Sequence, residues 1–549
     1  MTPEDIDVLI IGAGINGAGL FRDLCEQGVK AVILDKNDFG SGTSAAPSRL
    51  IHGGIKYLET GELGLVAQST LERNLLLKNA PHYVRPLPTV IPIFSWWKGV
   101  PSAIRTLFGS TTAPRSRGAV LIKIGLAMYD FYGARHRVMP RHALWSKARA
   151  LREIPPLTPR IVAAGTYYDA TVSHPERLVL ELIEDGLRAN PASDALNHAT
   201  LQGTDGQAIH VVQADGRSRS LWPKVVVNAA GPWIDLVNAR LGAASHLIGG
   251  TKGSHILLHH PELIRALNGR MIYFEADDGR ICLVFDYLGR ALVGSTDQRA
   301  ADPDNVRCDE EEIDYFLQSL QSLLPGLHCD RSQIVYAYAG IRPLPATDGT
   351  AVGLISRDHS APVIEPAGDR QWPIISLVGG KWTTFRGFAE EVADQLLVRL
   401  GAARRISTQG LPIGGGRGYP ADEPQAWLDD AVAKSGATPG RAKALLDRYG
   451  TKATAILQAE GDAPVFLADA PDYSRQELDW ITRNERVVHL EDLVMRRTAL
   501  AITGELTARA LADAADIAAT ALGWQPDQRD AEVRQTQATL ETRHHMRLA

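Results

Sequence analysis

The chain has 549 residues, more than one hydrophobic core usually serves, so two or three domains are expected. With 45% hydrophobic and 22% charged residues and a net charge of −5, it reads as an ordinary folded protein and not as a general nucleic-acid binder. Its four cysteines (Cys25, Cys282, Cys308, Cys329) lack the paired spacing of an iron–sulfur or zinc site, so no metal is expected, and they fit a reducing cytoplasm.

The first element is an apolar run at residues 6–11, typical of a buried parallel strand, followed at once by Gly12-Ala13-Gly14-Ile15-Asn16-Gly17. A helical pattern (Ala18, Phe21, Leu24) leads to Gly28 and a second apolar strand at residues 31–34, closed by Asp35. This is the order a dinucleotide-binding unit needs. Gly12 allows the tight turn, Gly14 lets the backbone approach a pyrophosphate, and Gly17 permits close helix–strand packing. The pyrophosphate sits on the helix N-terminus, and Asp35 is placed to accept ribose hydroxyls. The unit alone leaves FAD and NAD both open.

Residues 40–48 are small and polar, a loop, and residues 62–80 predict an amphipathic helix stopped by Pro81. From about 95 to 141 the character changes. Lys98, Arg105, Arg115, Arg117, Lys123, Arg135, Arg137 and Arg141 face a single acid, Asp130, and are interleaved with aromatic and aliphatic residues such as Trp96, Trp97 and Phe108. Such a segment suits an anionic membrane surface, or else an insertion packing its apolar residues inward with a solvated basic rim. No basic leader precedes the first strand, and no stretch reaches the roughly 18 apolar residues of a spanning helix. The expectation is a cytoplasmic protein held peripherally at the inner face of the cell membrane.

A helix at 176–189 precedes strands that end in VVVNAAGPW at 225–233, and residues 246–299 are β-rich with local alternation. Another strand ends at Leu377-Val378-Gly379-Gly380, after which Thr383 or Thr384 can cap a helix running to Leu400. That helix could aim its N-terminus at the edge of a flavin that becomes negative on reduction, which favours FAD over NAD. Residues 409–424, QGLPIGGGRGYPADEP, predict a linker, and 425–549 a helical C-terminal domain.

The motifs then become recognisable. TSAAPSRLIHGGIKYLETGELGLV (43–66), VNAAGPW (227–233), KGSHILL (252–258), VGSTD (293–297), AGIRPL (339–344), ISRDH (355–359), GGKWTTFR (379–386) and LEDLVMRRT (490–498) resemble those of FAD-dependent glycerol-3-phosphate dehydrogenases, in that family's order. The resemblance implies an α/β fold. A Rossmann-type FAD-binding domain of the glycine-oxidase and D-amino-acid-oxidase kind would be joined to a β-rich substrate domain and the helical C-terminal domain. Residues 1–408 would form the oxidoreductase region. Its FAD-binding part would be discontinuous (about 1–95, 145–235 and 340–408), with a substrate- and membrane-facing part at about 96–144 and 236–339.

The same resemblance implies oxidation of sn-glycerol 3-phosphate to dihydroxyacetone phosphate, hydride passing to FAD and electrons on to a membrane quinone. His255 and Arg342 match residues at the reacting hydroxyl, one as a base and the other to stabilise the alkoxide, a choice the sequence leaves open. Lys56, Tyr57, Arg357 and Lys381 match substrate-side positions, cations being needed to grip a phosphate dianion. Thr43, Ser44, Ser48, His52, Gly53, Gly54, Ala230, Gly231, Trp233, Gly380, Thr383 and Thr384 match cofactor-binding positions, His52 with Gly53 and Gly54 on the flavin side. Lys56 departs from the family, which commonly has arginine there, and so loses a bidentate fork. A homodimer is also expected. The alternatives are an amine or amino-acid oxidase of the same fold that uses oxygen, and a catalytically silent flavoprotein.

Overall fold

The computed structural model describes residues 4–54, 62–96, 119–132, 139–300, 302–347, 358–379 and 381–549. Lys56, Tyr57, Arg357, Gly380 and most of the basic, aromatic segment therefore lie outside the described residues.

The opening apolar run becomes the strand Glu4–Ile11, at the centre of the first of two large sheets. Its parallel neighbours are Ala31–Leu34 on one side and Ser218–Asn228 on the other, followed outward by Asp194–Leu196 and Ile374–Ser376. Val8, Leu9 and Ile10 are fully buried because both faces of the sheet are covered. The helices Ile15–Glu26, Pro175–Ala189 and Phe385–Arg399 supply one cover, which packs Phe21, Leu180 and Phe388 into a single cluster. The other cover packs Leu201, Val211 and Trp372 against Leu9 and Val32. In this strand order, chain direction across the sheet reverses beside Glu4–Ile11, which opens a crevice at its C-terminal end.

The second sheet has ten strands and carries Thr251–Leu258 between Ile334–Arg342 and Arg290–Gly294, antiparallel to both. All eight residues of Thr251–Leu258 are buried. Alternation sends Ile256 and Leu258 into one apolar cluster, while Gly253 and His255 turn to the opposite face.

The C-terminal helices, from Pro424–Ser435 to Pro526–His544, cover the second sheet and share its core. Phe285, Tyr287, Leu292 and Tyr336 pack with Leu446, Leu500 and Leu511. The glycine- and proline-rich stretch before them is packed. Ile413 is buried, and a Cβ added at Gly415 or Gly416 would lie 2.1 Å from the Tyr449 carbonyl oxygen or 2.3 Å from that of Asn79.

Two local expectations change. The helix Leu63–Asn79 is not simply amphipathic, for it buries Ser69, Thr70, Glu72, Arg73 and Asn74 together with Leu65, Val66, Leu75 and Leu76. It lies between other elements, and its charges are paired: Glu72 with Arg386 at 2.6 Å and Arg73 with Asp169 at 3.2 Å. The threonines before Phe385–Arg399 make no side-chain cap. A short 3-10 turn, Trp382–Thr384, intervenes, and the Thr384 hydroxyl donates backward to the Lys381 carbonyl at 3.3 Å.

Candidate active site

A cavity of about 740 Å³ runs between the two sheets. At its first end the chain leaves Glu4–Ile11 through Gly12, whose φ is +105°. A Cβ there would lie 2.6 Å from Ala229 backbone atoms, so no larger residue fits. Gly14 is the N-cap of Ile15–Glu26 and offers no side chain to the free N–H groups. One of them, Ile15 N–H, donates to Ser44 Oγ at 2.9 Å. Gly17 lies behind the cavity wall, where a Cβ would come 2.0 Å from the Gly12 carbonyl oxygen, so it serves helix–strand packing.

Asp35 accepts from Ala13 N–H at 2.8 Å and Asn37 N–H at 3.0 Å, and burial nevertheless pushes its carboxyl up to about 6. Asn16 Oδ1 is buried without a hydrogen-bond partner. A helix N-terminus whose N-cap offers no side chain, a cradle that a Cβ would fill and an orphaned amide oxygen on the same wall fit the pyrophosphate and adenosine of FAD. Ala230, Gly231 and Trp233 line this end too. The Trp233 indole N–H donates to Asp304 at 2.9 Å and its ring lies under Lys36 Nζ.

The loop carrying Thr43, Ser44, Ser48 and His52 lines the cavity, as does Thr383, whose Oγ1 donates to the His52 carbonyl at 3.4 Å. Thr43 Oγ1 donates to the Ile341 carbonyl at 2.6 Å, which ties this loop to the second sheet. Gly53, Gly54 and Thr384 are not on the described cavity wall. Gly53 N–H donates to Asp169 and to the Tyr129 hydroxyl, both at 3.0 Å, so this glycine is held from behind.

His255, Arg342 and Lys381 line the same cavity. His255 is 1% exposed. Its ring stacks on Tyr338 at 4.8 Å, its Nε2 lies 2.9 Å from Ser48 Oγ, and its Nδ1 is buried without a partner. Burial, then the positive charges of Arg342 and Arg49, hold its pKa well below the usual histidine value, so the imidazole is neutral at pH 7. Gly294, on the neighbouring strand, makes room for the ring, since a Cβ there would lie 2.1 Å from His255 Cδ2. Gly253 does the same for the Arg342 guanidinium, which a Cβ would meet at 2.1 Å. Arg342 pairs with Asp297 at 3.2 Å and also donates to Ser295 Oγ. Lys381 is buried and donates to Ser69 Oγ at 2.9 Å.

Several contributors escape a residue-by-residue reading of the sequence. Arg49 lies inside a motif but gives no sign that it pairs with Glu176 at 2.8 Å and sits against Tyr338 behind His255. Asp169 and Tyr167 line the cavity from a strand that carries no motif. Gly253 and Gly294 stand in the KGSHILL and VGSTD motifs, and only strand register shows what they make room for.

Known families match almost the whole chain. The family described as "FAD dependent oxidoreductase" matches residues 7–395, and "C-terminal domain of alpha-glycerophosphate oxidase" matches 406–529. The chain is 32% identical to a glycerol-3-phosphate dehydrogenase of Synechocystis sp., over 96% of this chain and 95% of the relative. It is 29% identical to one from Pseudomonas aeruginosa, over 91% and 92%. The crystal structure of a glycerol-3-phosphate dehydrogenase from Bacillus halodurans, complexed with FAD, superposes with a TM-score of 0.76 at 21% identity, covering 99% of this chain and 96% of that one. At that identity the superposition establishes the fold.

Proposed function

We propose that this chain, which belongs to the FAD-dependent oxidoreductase family and to its glycerol-3-phosphate dehydrogenase branch, oxidises sn-glycerol 3-phosphate to dihydroxyacetone phosphate and delivers the electrons to a membrane quinone. One observation carries the reading: a neutral, buried histidine and the Arg342 guanidinium line the same cavity as a glycine cradle built for a dinucleotide.

The chemistry follows from the side chains. Oxidising a secondary alcohol removes a proton from oxygen and a hydrogen with its electron pair from carbon. FAD, when bound, supplies the acceptor for that electron pair. His255, held neutral, takes the hydroxyl proton. Arg342 cannot act as a base and instead stabilises the negative charge that develops on the oxygen. Lys381, with Arg357 and Lys56, meets the phosphate, and Tyr57 the substrate hydroxyls. Gly12, Gly14, Asn16 and Asp35 hold the dinucleotide with Ala230, Gly231 and Trp233 beside them, and Thr43, Ser44, Ser48, His52, Gly380 and Thr383 enclose the flavin half, supported from behind by Gly53, Gly54 and Thr384.

The same reading assigns residues 1–408 to the oxidoreductase region and 425–549 to the helical domain, and includes a homodimer. It also places the protein on the inner face of the cell membrane through residues 96–144. In support, Trp96 is 49% exposed, and no described helix is long and apolar enough to cross a membrane. The helix Ala119–Tyr132 packs Ile122, Leu126 and Tyr129 inward, leaving Lys123 exposed.

The test is glycerol 3-phosphate-dependent reduction of a soluble quinone analogue by purified protein, with hydrogen peroxide followed in parallel. Quinone reduction with little peroxide is the expected result. Peroxide at the rate of substrate loss, with no quinone reduced, would replace the quinone by oxygen as acceptor.

A further inference from the structure

Asp38 lies three residues beyond Asp35, on the loop whose Asp35, Lys36 and Asn37 line the cavity. It is wholly buried. Its two oxygens accept from Arg497 Nη1 at 2.6 Å and Nη2 at 2.8 Å, a bidentate fork, and Oδ2 also accepts from Arg496 Nε at 2.7 Å. Although burial raises the carboxyl, Arg497 and Arg496 hold its pKa below the ordinary value, so it is an anion. Both arginines come from the LEDLVMRRT motif, more than 450 residues away, where the π-helical turn Asp492–Arg497 brings two consecutive side chains onto one carboxylate.

The arginines are themselves fixed. Arg497 Nε donates to the Glu485 carbonyl at 2.9 Å, and Arg177, which forks onto Glu485, donates to the Arg497 carbonyl. Arg496 donates to Asp492, whose carboxylate lies 3.1 Å from His198 Nε2. The turn carrying His198, between the strands Asp194–Leu196 and Thr200–Thr204, is stitched to the same loop: His198 N–H donates to the Asn37 carbonyl and Ala199 N–H to that of Asp35. Asn197 spans Asp38 Oδ1 and the Arg486 carbonyl. Both walls of the cavity's adenosine end are thus bolted from behind to the C-terminal helices.

We infer that Arg496 and Arg497 are positioning residues for the cofactor, acting through Asp38, so that FAD affinity is set from the C-terminal helical region. The inference rests on the cavity being the FAD site. A charge buried at this depth has no solvent to fall back on, so breaking the fork is strongly unfavourable and the loop is held where the fork closes. Asp35 and the backbone of Asn37 are carried on that loop.

The experiment uses full-length apoprotein and follows FAD binding by quenching of flavin fluorescence, with apoprotein melting recorded beside it. The variants are Asp38→Asn, Arg497→Met, Arg497→Lys and, as control, Arg441→Gln. Arg441, 8% exposed, forms a largely buried set of pairs with Glu460 and Glu477, far from the loop in sequence and contact. Asp38→Asn and Arg497→Met are expected to raise the FAD Kd at least about tenfold, Arg497→Lys somewhat less. KM for glycerol 3-phosphate at saturating FAD stays at the wild-type value. Arg441→Gln lowers the apoprotein melting temperature but leaves the FAD Kd within about twofold.

A folded Asp38→Asn or Arg497→Met protein with wild-type FAD affinity overturns the inference, as does a control that loses FAD equally. If those two variants do not fold, Arg497→Lys decides by the same criterion. Wild-type apoprotein that binds no FAD would refute the cavity assignment itself, a distinct failure.

Discussion

Gly294→Ala places a methyl group 2.1 Å from His255 Cδ2 and 2.7 Å from Nε2. Ordinary contact is about 3.4 Å, so the ring must move by about 1.3 Å or the strand must yield. The ring has little freedom, being stacked on Tyr338 at 4.8 Å and held at 2.9 Å from Ser48 Oγ. Overpacking of this kind costs about 1–3 kcal/mol, and losing the Ser48 bond adds about 1 kcal/mol. Displacing a base by about 1 Å slows chemistry on the order of 100-fold. Stopped-flow flavin reduction by glycerol 3-phosphate, without oxygen, reads this directly. The expected result is a rate constant lower by about 100-fold with flavin content unchanged. In a His255→Ala background the methyl occupies vacated space, so adding Gly294→Ala should change the rate less than about twofold. Wild-type reduction rates in Gly294→Ala, or full additivity with His255→Ala, would refute the reasoning.

Other expectations are as specific. Gly12→Ala drives a methyl into the Ala229 backbone at 2.6 Å and strains φ at +105°, so protein purified without added FAD should be colourless; a yellow, saturated variant would contradict the cradle. His544 is half-buried against Tyr336, and desolvation there lowers its pKa from 6.5 to about 4, while His174 and His255 are also held well below 6.5. The unfolded chain then binds more protons below pH 6.5, so stability is full above that pH and falls on acidification, His544 contributing up to about 3 kcal/mol by pH 4. Urea midpoints that hold steady or rise from pH 7 to pH 5 would contradict this. Co-sedimentation with vesicles should need anionic lipid and weaken between low and high salt; binding to neutral vesicles at any salt would remove residues 96–144 from that role.

What could be read in the sequence follows from how local each interaction is. Gly14, Gly17 and Asp35 act within a single strand–helix–strand unit, so their spacing alone states their geometry, whereas the Ala229 backbone that crowds Gly12 comes from a distant strand end. Arg497 meets Asp38 across 459 residues, and nothing in either segment names the other. His255 is unremarkable as an isolated histidine; the motif around it points to a role, but its neutrality comes from burial by the fold and then from Arg342 and Arg49, which arrive from other segments. The helix Leu63–Asn79 deceives for a related reason. Its charges look solvated in sequence and are buried because Arg386 and Asp169 come from distant elements to pair with them. Composition marks 409–424 as a break, yet Gly415 and Gly416 within it are there for close packing on Tyr449 and Asn79.

The most direct test is an anaerobic titration of the yellow protein with glycerol 3-phosphate, glycerol and glycine in separate cuvettes. Stoichiometric bleaching by the phosphate ester alone is the result expected of a cavity that joins FAD to His255, Arg342 and Lys381. Flavin that stays oxidised with glycerol 3-phosphate, or that glycine bleaches instead, would contradict it.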